Sequence, residues 1–251
     1  MPTPADIARL RSRIAALEGV GATVSAGPVP LGVAEMDRAL PWGGLALGCL
    51  HEIMGLPHAD GIGDGAALAF ASVLLGRLAV AGGRPVLWIT AGEMPYAPAL
   101  AALGLPPERV VMVRPRRAVQ VLWALEEGLR CRALAGVLAE IRDLDLTAAR
   151  RLQLAAGASG VPALVLNGGG VANAAVTRWR VAAMPGAGDP VLGVGAWRWR
   201  VELLRCRGRG IDDGGRVAAW EVEWDEQARG LRLAAVAGHR AVAPVEGRAA
   251  G

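Results

Sequence analysis

The chain of 251 residues carries 27 basic side chains against 23 acidic ones, a formal net charge of +4, and every basic residue is arginine. The absence of lysine excludes Schiff-base chemistry and pyridoxal-phosphate attachment, and with them a standard phosphate-binding P-loop, whose lysine reaches the terminal phosphates. An apolar content of 53% suits one large domain, and the scattered cysteines Cys49, Cys131 and Cys206 form no CxxC pair that would point to zinc or a disulfide framework.

In chain order, Met1-Pro2-Thr3-Pro4 lacks the charged-then-apolar pattern of a signal peptide. Thr3-Pro4-Ala5-Asp6 reads as a helix start, and Ile7, Leu10, Ile14 and Leu17 share one face of the helix that follows. That helix either lies on its own domain or docks on a partner chain. From Leu31 onward strand and helix alternate. Strands are predicted over Gly48–Met54, Arg84–Ala91, Arg109–Val113, Ala135–Ile141 and Pro162–Asn167. Helices are predicted over Asp64–Ala81, Ala97–Leu103, Ala118–Arg130 and Leu146–Ala158. Unbroken apolar strands between helices imply a largely parallel sheet covered on both faces. The apolar stretch Ala66–Leu75 is too short to span a bilayer, so a soluble protein with no membrane association is expected. A reducing cytoplasm fits the unpaired cysteines.

After Asn167 the period changes to two. Trp197, Trp199, Val201 and Leu203 share one face and Arg198, Arg200 and Glu202 the other. Beyond a turn near Asp213-Gly214-Gly215, Trp220, Val222 and Trp224 alternate with Glu221, Glu223 and Asp225. Residues 178–209 hold seven arginines and two acids, whereas residues 211–226 hold six acids and one arginine. Such faces pair across strands, or the arginines form a stripe for phosphate. The tryptophans either fill the core or stack bases.

One segment carries a specific likeness. Met36 to Gly48, with Pro41-Trp42-Gly43-Gly44-Leu45, followed by His51-Glu52-Ile53-Met54-Gly55, resembles the entry to the RecA core ahead of its P-loop. The order continues through Val86–Glu93, Tyr96-Ala97, Leu103-Gly104-Leu105, Glu108–Pro115 and Gln120–Leu129 to Val137-Leu138-Ala139-Glu140, where the acid-terminated Walker-B strand belongs. Within that superfamily the chain is similar to the ImuA family of bacterial inducible-mutagenesis proteins. The segments that carry this likeness are Leu47–Ile53, Pro85–Trp88, Leu122–Glu127, Arg150–Ala156, Thr177–Val181, Trp199–Gly208 and Glu223-Trp224-Asp225.

The resemblance implies an α/β fold: a RecA-like three-layer core whose mostly parallel sheet is covered by helices, with antiparallel C-terminal strands and a short N-terminal helix. Together with the residue patterns, the expected layout is helix and linker over 1–30, RecA-like core over 31–185, strands continuing the sheet over 186–240, and a flexible tail, rich in Ala, Val and Gly, over 241–251. The implied function is a damage-induced accessory factor in mutagenic translesion synthesis within the SOS response, and the missing lysine makes a non-catalytic one the expectation. Its implied partners are an ImuB-like protein and an error-prone DNA polymerase, with RecA and DNA as further candidates.

The nucleotide site implied by that resemblance is degenerate. Gly55, Gly61, Gly63 and Gly65 permit a curled loop, but Ala66 and Ala67 stand where a lysine and a Ser or Thr are needed. Asp60 and Asp64 add negative charge, and no arginine between Gly55 and Gly76 substitutes. Glu140 and Glu93 are vestigial acidic positions, Glu93 lying one step beyond the place of the family's water-activating glutamate. Gly168 replaces the polar sensor residue. No cofactor and no metal are expected. The connections Ile141–Leu146 and Gly168–Ala175 are far shorter than the DNA-binding loops of RecA. The remaining candidates for DNA or partner contact are Arg114, Arg116, Arg117, Arg150, Arg151, Arg178, Arg180, Arg198 and Arg200.

Two competing readings have different signatures. An ATP-dependent RecA-like DNA-binding enzyme would need an atypical nucleotide loop. A dinucleotide-binding oxidoreductase would use Gly61-Ile62-Gly63-Asp64-Gly65-Ala66, but that run is separated from its strand and has no acid about 20 residues on. Gly157-Ala158-Ser159-Gly160-Val161 misses the hydrolase elbow at its last position, and His51 has no Ser or Cys partner in the pattern, which makes it structural.

Overall fold

Apolar strands without alternation need cover on both faces of their sheet, and the centre of this molecule is built that way. The computed structural model describes Asp6 and residues 27–56, 65–167, 174–186, 195–207, 209–210 and 215–234. Asp6 is helical; the rest of the helix expected over Thr3–Leu17, and the tail over 241–251, lie outside the described residues. The elements in order are α1 (Ala34–Ala39), β1 (Leu50–Met54), α2 (Gly65–Gly82), β2 (Val86–Ile89), α3 (Ala97–Ala102) and a 3-10 turn (Pro107–Arg109). Then follow β3 (Val110–Val113), α4 (Ala118–Arg130), β4 (Gly136–Ile141), α5 (Leu146–Ser159), β5 (Ala163–Asn167), β6 (Thr177–Met184), β7 (Arg198–Cys206), β8 (Ala218–Asp225) and β9 (Gly230–Leu233). The strands join in one sheet, ordered β3-β2-β4-β5-β1-β6-β7-β8-β9. Pairing is parallel from β3 through β1 to β6 and antiparallel from β6 to β9.

Each face has its own core. Phe70, Leu74 and Leu78 of α2 pack on Trp88, Leu138, Leu164 and Trp179. On the other face Leu125 and Leu129 of α4 and Leu152 of α5 cover Leu50, Val137, Ala139 and Val165. The eighteen-residue α2 is longer than the stretch Ala66–Leu75 and is apolar enough to cross a membrane by composition, but most of it is buried in this core. Gly76 lets it seat: a Cβ there would meet the Gly104 carbonyl oxygen at 2.7 Å. Helix α5 has matched ends, with the Asp145 carboxylate accepting the Ala148 N–H at 2.8 Å and Gly160 closing in the left-handed region at φ 83°.

Period two in the C-terminal strands buries Trp199, Val201 and Leu203 as expected, but Trp197 is not buried with them. Strand β7 begins one residue later, at Arg198, and Trp197 stays 40% exposed while its carbonyl accepts the Trp224 N–H at 2.8 Å.

The seam between the parallel and antiparallel halves is polar. His51 of β1 faces Thr177 of β6 in the register, and Glu52 faces Arg178. His51 is fully buried, with Nδ1 2.7 Å from Thr177 Oγ1 and Nε2 2.8 Å from the Ala46 carbonyl. A carbonyl only accepts, so Nε2 carries the proton and Nδ1 accepts from the Thr177 hydroxyl. That hydroxyl oxygen in turn accepts the Trp179 indole N–H at 2.8 Å. On the opposite face of the same two strands, Arg178 Nε lies 3.0 Å from Glu52, which is fully buried.

Burial pushes His51 down from its ordinary 6.5 to about 4, against the opposing pull of its bond to the Ala46 carbonyl. The unfolded chain takes up this proton near pH 6.5 and the folded chain only near pH 4, so the stability present above pH 6.5 drains away as pH falls to 4. The shift corresponds to a loss of about 3 kcal/mol over that window. Urea unfolding at several pH values should show it as a slope that His51→Gln flattens. Equal slopes for both proteins would contradict it.

Candidate functional site

In open parallel sheets, ligands bind beyond the carboxyl ends of the strands, which here means the crossover from β1 to α2. Gly55 and Leu56 leave the strand, and α2 opens with Gly65-Ala66-Ala67. The loop between them, with Gly61 and Gly63, lies outside the described residues. Ala66 and Ala67 are buried against the core, so neither an ammonium nor a hydroxyl projects from their two positions in the first turn. Ser72, further along the helix, donates its hydroxyl to the Leu68 carbonyl of its own helix at 2.8 Å. Beside this turn opens a cleft of about 390 Å³, walled by Leu68 and Ala69 of α2, Pro95, Tyr96 and Leu100 around α3, and Trp197 and Trp199. Its walls are mostly apolar. Tyr96, 73% exposed, and Trp197 stand at the rim.

The two acidic positions are not equivalent. Glu93 is exposed in the segment between β2 and α3. Glu140, near the end of β4, is half-buried and turned toward β2: it accepts the Trp88 indole N–H at 3.0 Å and the Thr90 hydroxyl at 2.9 Å. Thr90 Oγ1 also accepts the Gly92 N–H at 3.0 Å. Burial raises the Glu140 carboxyl above its ordinary value, and the bonds from Trp88 and Thr90 pull it back. Trp88 and Thr90 were not singled out as polar partners in the sequence, because only the pairing of β2 with β4 brings them to Glu140. Among the described residues no three His, Cys, Asp or Glu side chains gather as metal ligands would. Cys49 is buried, which pushes its thiol up to about 12 and makes it a poor nucleophile.

The candidate arginines divide into two groups. Those of the C-terminal strands and the seam face carboxylates: Arg178 meets Glu52, Arg180 meets Glu202 at 2.5 Å, Arg198 meets Glu221 at 3.0 Å and Arg200 meets Glu202 at 3.2 Å. Arg216 joins Glu202 at 3.4 Å, and Arg232 joins Glu223 at 2.6 Å. Burial tends to raise Glu202, but its bonds to Arg180 and Arg200 hold it below the ordinary carboxylate range. The second group lies around α4 and α5. Arg151 pairs with Glu126, while Arg114, Arg116, Arg117 and Arg150 are exposed, with no carboxylate in ion-pair range among the described residues.

If Glu140 serves the β2–β4 junction, removing it strands the fully buried Trp88 N–H. Glu140→Ala should then lower the unfolding free energy by about 1–3 kcal/mol, the cost of an unsatisfied buried donor. Glu140→Gln, which retains one acceptor, should cost less. Denaturant unfolding with an unchanged m-value would check both.

No family model matches the chain. It is 36% identical over 219 residues to Protein ImuA from each of two strains of Caulobacter vibrioides, covering 81% of this chain and 87% of theirs. Among solved structures, the RadB recombinase superposes with a TM-score of 0.55 at 17% identity, covering 82% of this chain and 100% of that one, a likeness of fold alone. The relationship to Protein ImuA spans most of both chains, and the protein belongs to the ImuA family.

Proposed function

We propose that this chain is a non-catalytic RecA-like accessory factor in damage-induced, mutagenic translesion DNA synthesis, an adaptor that works with an ImuB-like protein and an error-prone DNA polymerase. Membership of the ImuA family supports the process. The observation that carries the non-catalytic part is the opening of α2 with Gly65-Ala66-Ala67 in a chain without lysine. Phosphate binding at a helix start gains from backbone N–H groups and the dipole, but a triphosphate with magnesium also needs the ammonium and the hydroxyl. Each charge-assisted bond forgone costs about 1.5–3 kcal/mol. An apolar cleft beside the turn, Glu140 committed to β2 and an exposed Glu93 favour the same reading. In it, residues 31–185 form the RecA-like core, 186–240 extend the sheet, and 1–30 and 241–251 are appendages. Three free cysteines suit a cytoplasmic location.

Titration of the full chain with a fluorescent ATP analogue, with and without magnesium, tests the catalytic question. No saturable binding is expected up to about 1 mM, whereas magnesium-dependent binding in the micromolar range would favour the ATP-dependent enzyme instead. Co-purification of the intact chain with its cognate ImuB-like protein tests the adaptor role, which fails if no complex forms.

A further inference from the structure

Helices α4 and α5 cover the face of the sheet opposite α2, and a groove runs between them. One stretch of about 190 Å³ is walled by Val119, Leu122, Trp123 and Leu152. A second, of about 430 Å³, continues along Leu154 and Ala155, and the two meet at Glu126 and Arg151. The ridges beside it are strongly exposed for their chemistry: Val119 by 69%, Trp123 by 66% and Leu154 by 73%. Holding the helices does not require them, because Val121, Leu125 and Leu129 of α4 and Ala149, Leu152 and Ala156 of α5 already do so from the buried sides.

Charged groups around the groove are mostly arginine, and most of the carboxylates there are engaged. Glu126 and Glu127 are occupied, Glu126 by Arg130 at 2.8 Å and by Arg151, Glu127 by Arg130 at 2.6 Å. Asp145, at the head of α5, is bound to the Ala148 N–H as its cap, with exposed Asp143 two residues before it. Arg116 and Arg117 before α4, Arg132 after it and Arg150 on α5 are exposed, with no carboxylate in ion-pair range among the described residues. Uncovered tryptophan, aliphatic side chains and unpaired arginine together match the residue chemistry that dominates binding energy at protein interfaces.

We propose that this groove docks an acidic amphipathic helix of a partner protein, with apolar side chains seated beside Val119, Trp123 and Leu154 and carboxylates meeting Arg116, Arg117 and Arg150. A channel between two helices takes side chains at helical spacing. A nucleic-acid strand fits it less well: base stacking needs flat aromatic faces, and the ridges offer Trp123 with Val119 and Leu154. The surface is independent of the nucleotide loop and of the role in lesion bypass.

The test uses the full chain and a fluorescein-labelled peptide of about 16 residues, with leucine and tryptophan at i, i+3, i+4 and i+7 and glutamate elsewhere. Anisotropy should report saturable binding at about 10–100 μM that weakens with salt. Trp123→Ser and the double charge reversal Arg116→Glu/Arg150→Glu should each weaken it about tenfold or more. All three residues are exposed, so both variants should melt like the parent. The same peptide with arginine for glutamate should not bind. No saturation by the acidic peptide at about 1 mM, equal binding of the arginine peptide, or unchanged affinity in Trp123→Ser overturns the proposal. An oligothymidine of about 20 nucleotides that binds the parent but not Trp123→Ser also overturns it and assigns the ridge to nucleic acid.

Discussion

The pairing of β1 with β6 sets the terms for the rest of the molecule. Strand β6 runs parallel to β1 on one side and antiparallel to β7 on the other, so it joins two kinds of sheet. Apolar side chains alone would fix that junction weakly, because a slip of one residue exchanges the faces but still leaves hydrophobic material to bury. Here a slip would separate His51 from Thr177 and Glu52 from Arg178, leaving buried polar groups on both faces without partners. A buried ion pair adds little net stability, since desolvation offsets most of the attraction, but breaking it is expensive. We read the seam as a device for register rather than for strength.

From that register the surroundings of the cleft follow. With β6 beside β1, Ala183 and Trp199 arrive under the first turns of α2, and Trp197 reaches the rim. The cleft is therefore closed by the antiparallel extension as well as by the parallel core. The same extension uses up its own charge: Glu202 alone is met by Arg180, Arg200 and Arg216. Arg178, Arg180, Arg198 and Arg200, which look like part of a phosphate stripe in the sequence, thus stand against carboxylates, while Arg114, Arg116, Arg117 and Arg150 are exposed around α4 and α5 with no carboxylate in ion-pair range among the described residues.

Much of the fold was legible because its signals are local. The run Ala118–Arg130 has matching helical ends in sequence and structure, and the apolar strands β2, β4 and β5 are bounded by turns. What was not legible depends on distant partners. Strand β6 alternates buried Thr177, Trp179 and Val181 with arginines whose carboxylates come from β1 and β7, so its polar half is explained only by distant partners. Strand β9 is four residues long and contains Arg232, whose partner Glu223 is on β8. At the candidate site, the missing lysine was plain from composition, whereas the retention of Glu140 by Trp88 and Thr90 depends on strand adjacency that no spacing encodes.

The absence of lysine has opposite consequences at two places. In the antiparallel half it is harmless or better, because a guanidinium offers several donors in a planar fork where an ammonium is a compact point charge. Glu202 illustrates this: it is 6% exposed yet meets three arginines from three different positions along the chain. In the connection from β1 to α2 the same substitution was open, since an arginine supplies a cation as a lysine does. Yet no arginine occurs between Gly55 and Gly76, and the turn opens with Ala66 and Ala67 packed into the core. A uniform exchange of lysine for arginine therefore accounts for the C-terminal strands but not for the loop. The absence of cation and hydroxyl there needs its own cause, and the non-catalytic role proposed above supplies one.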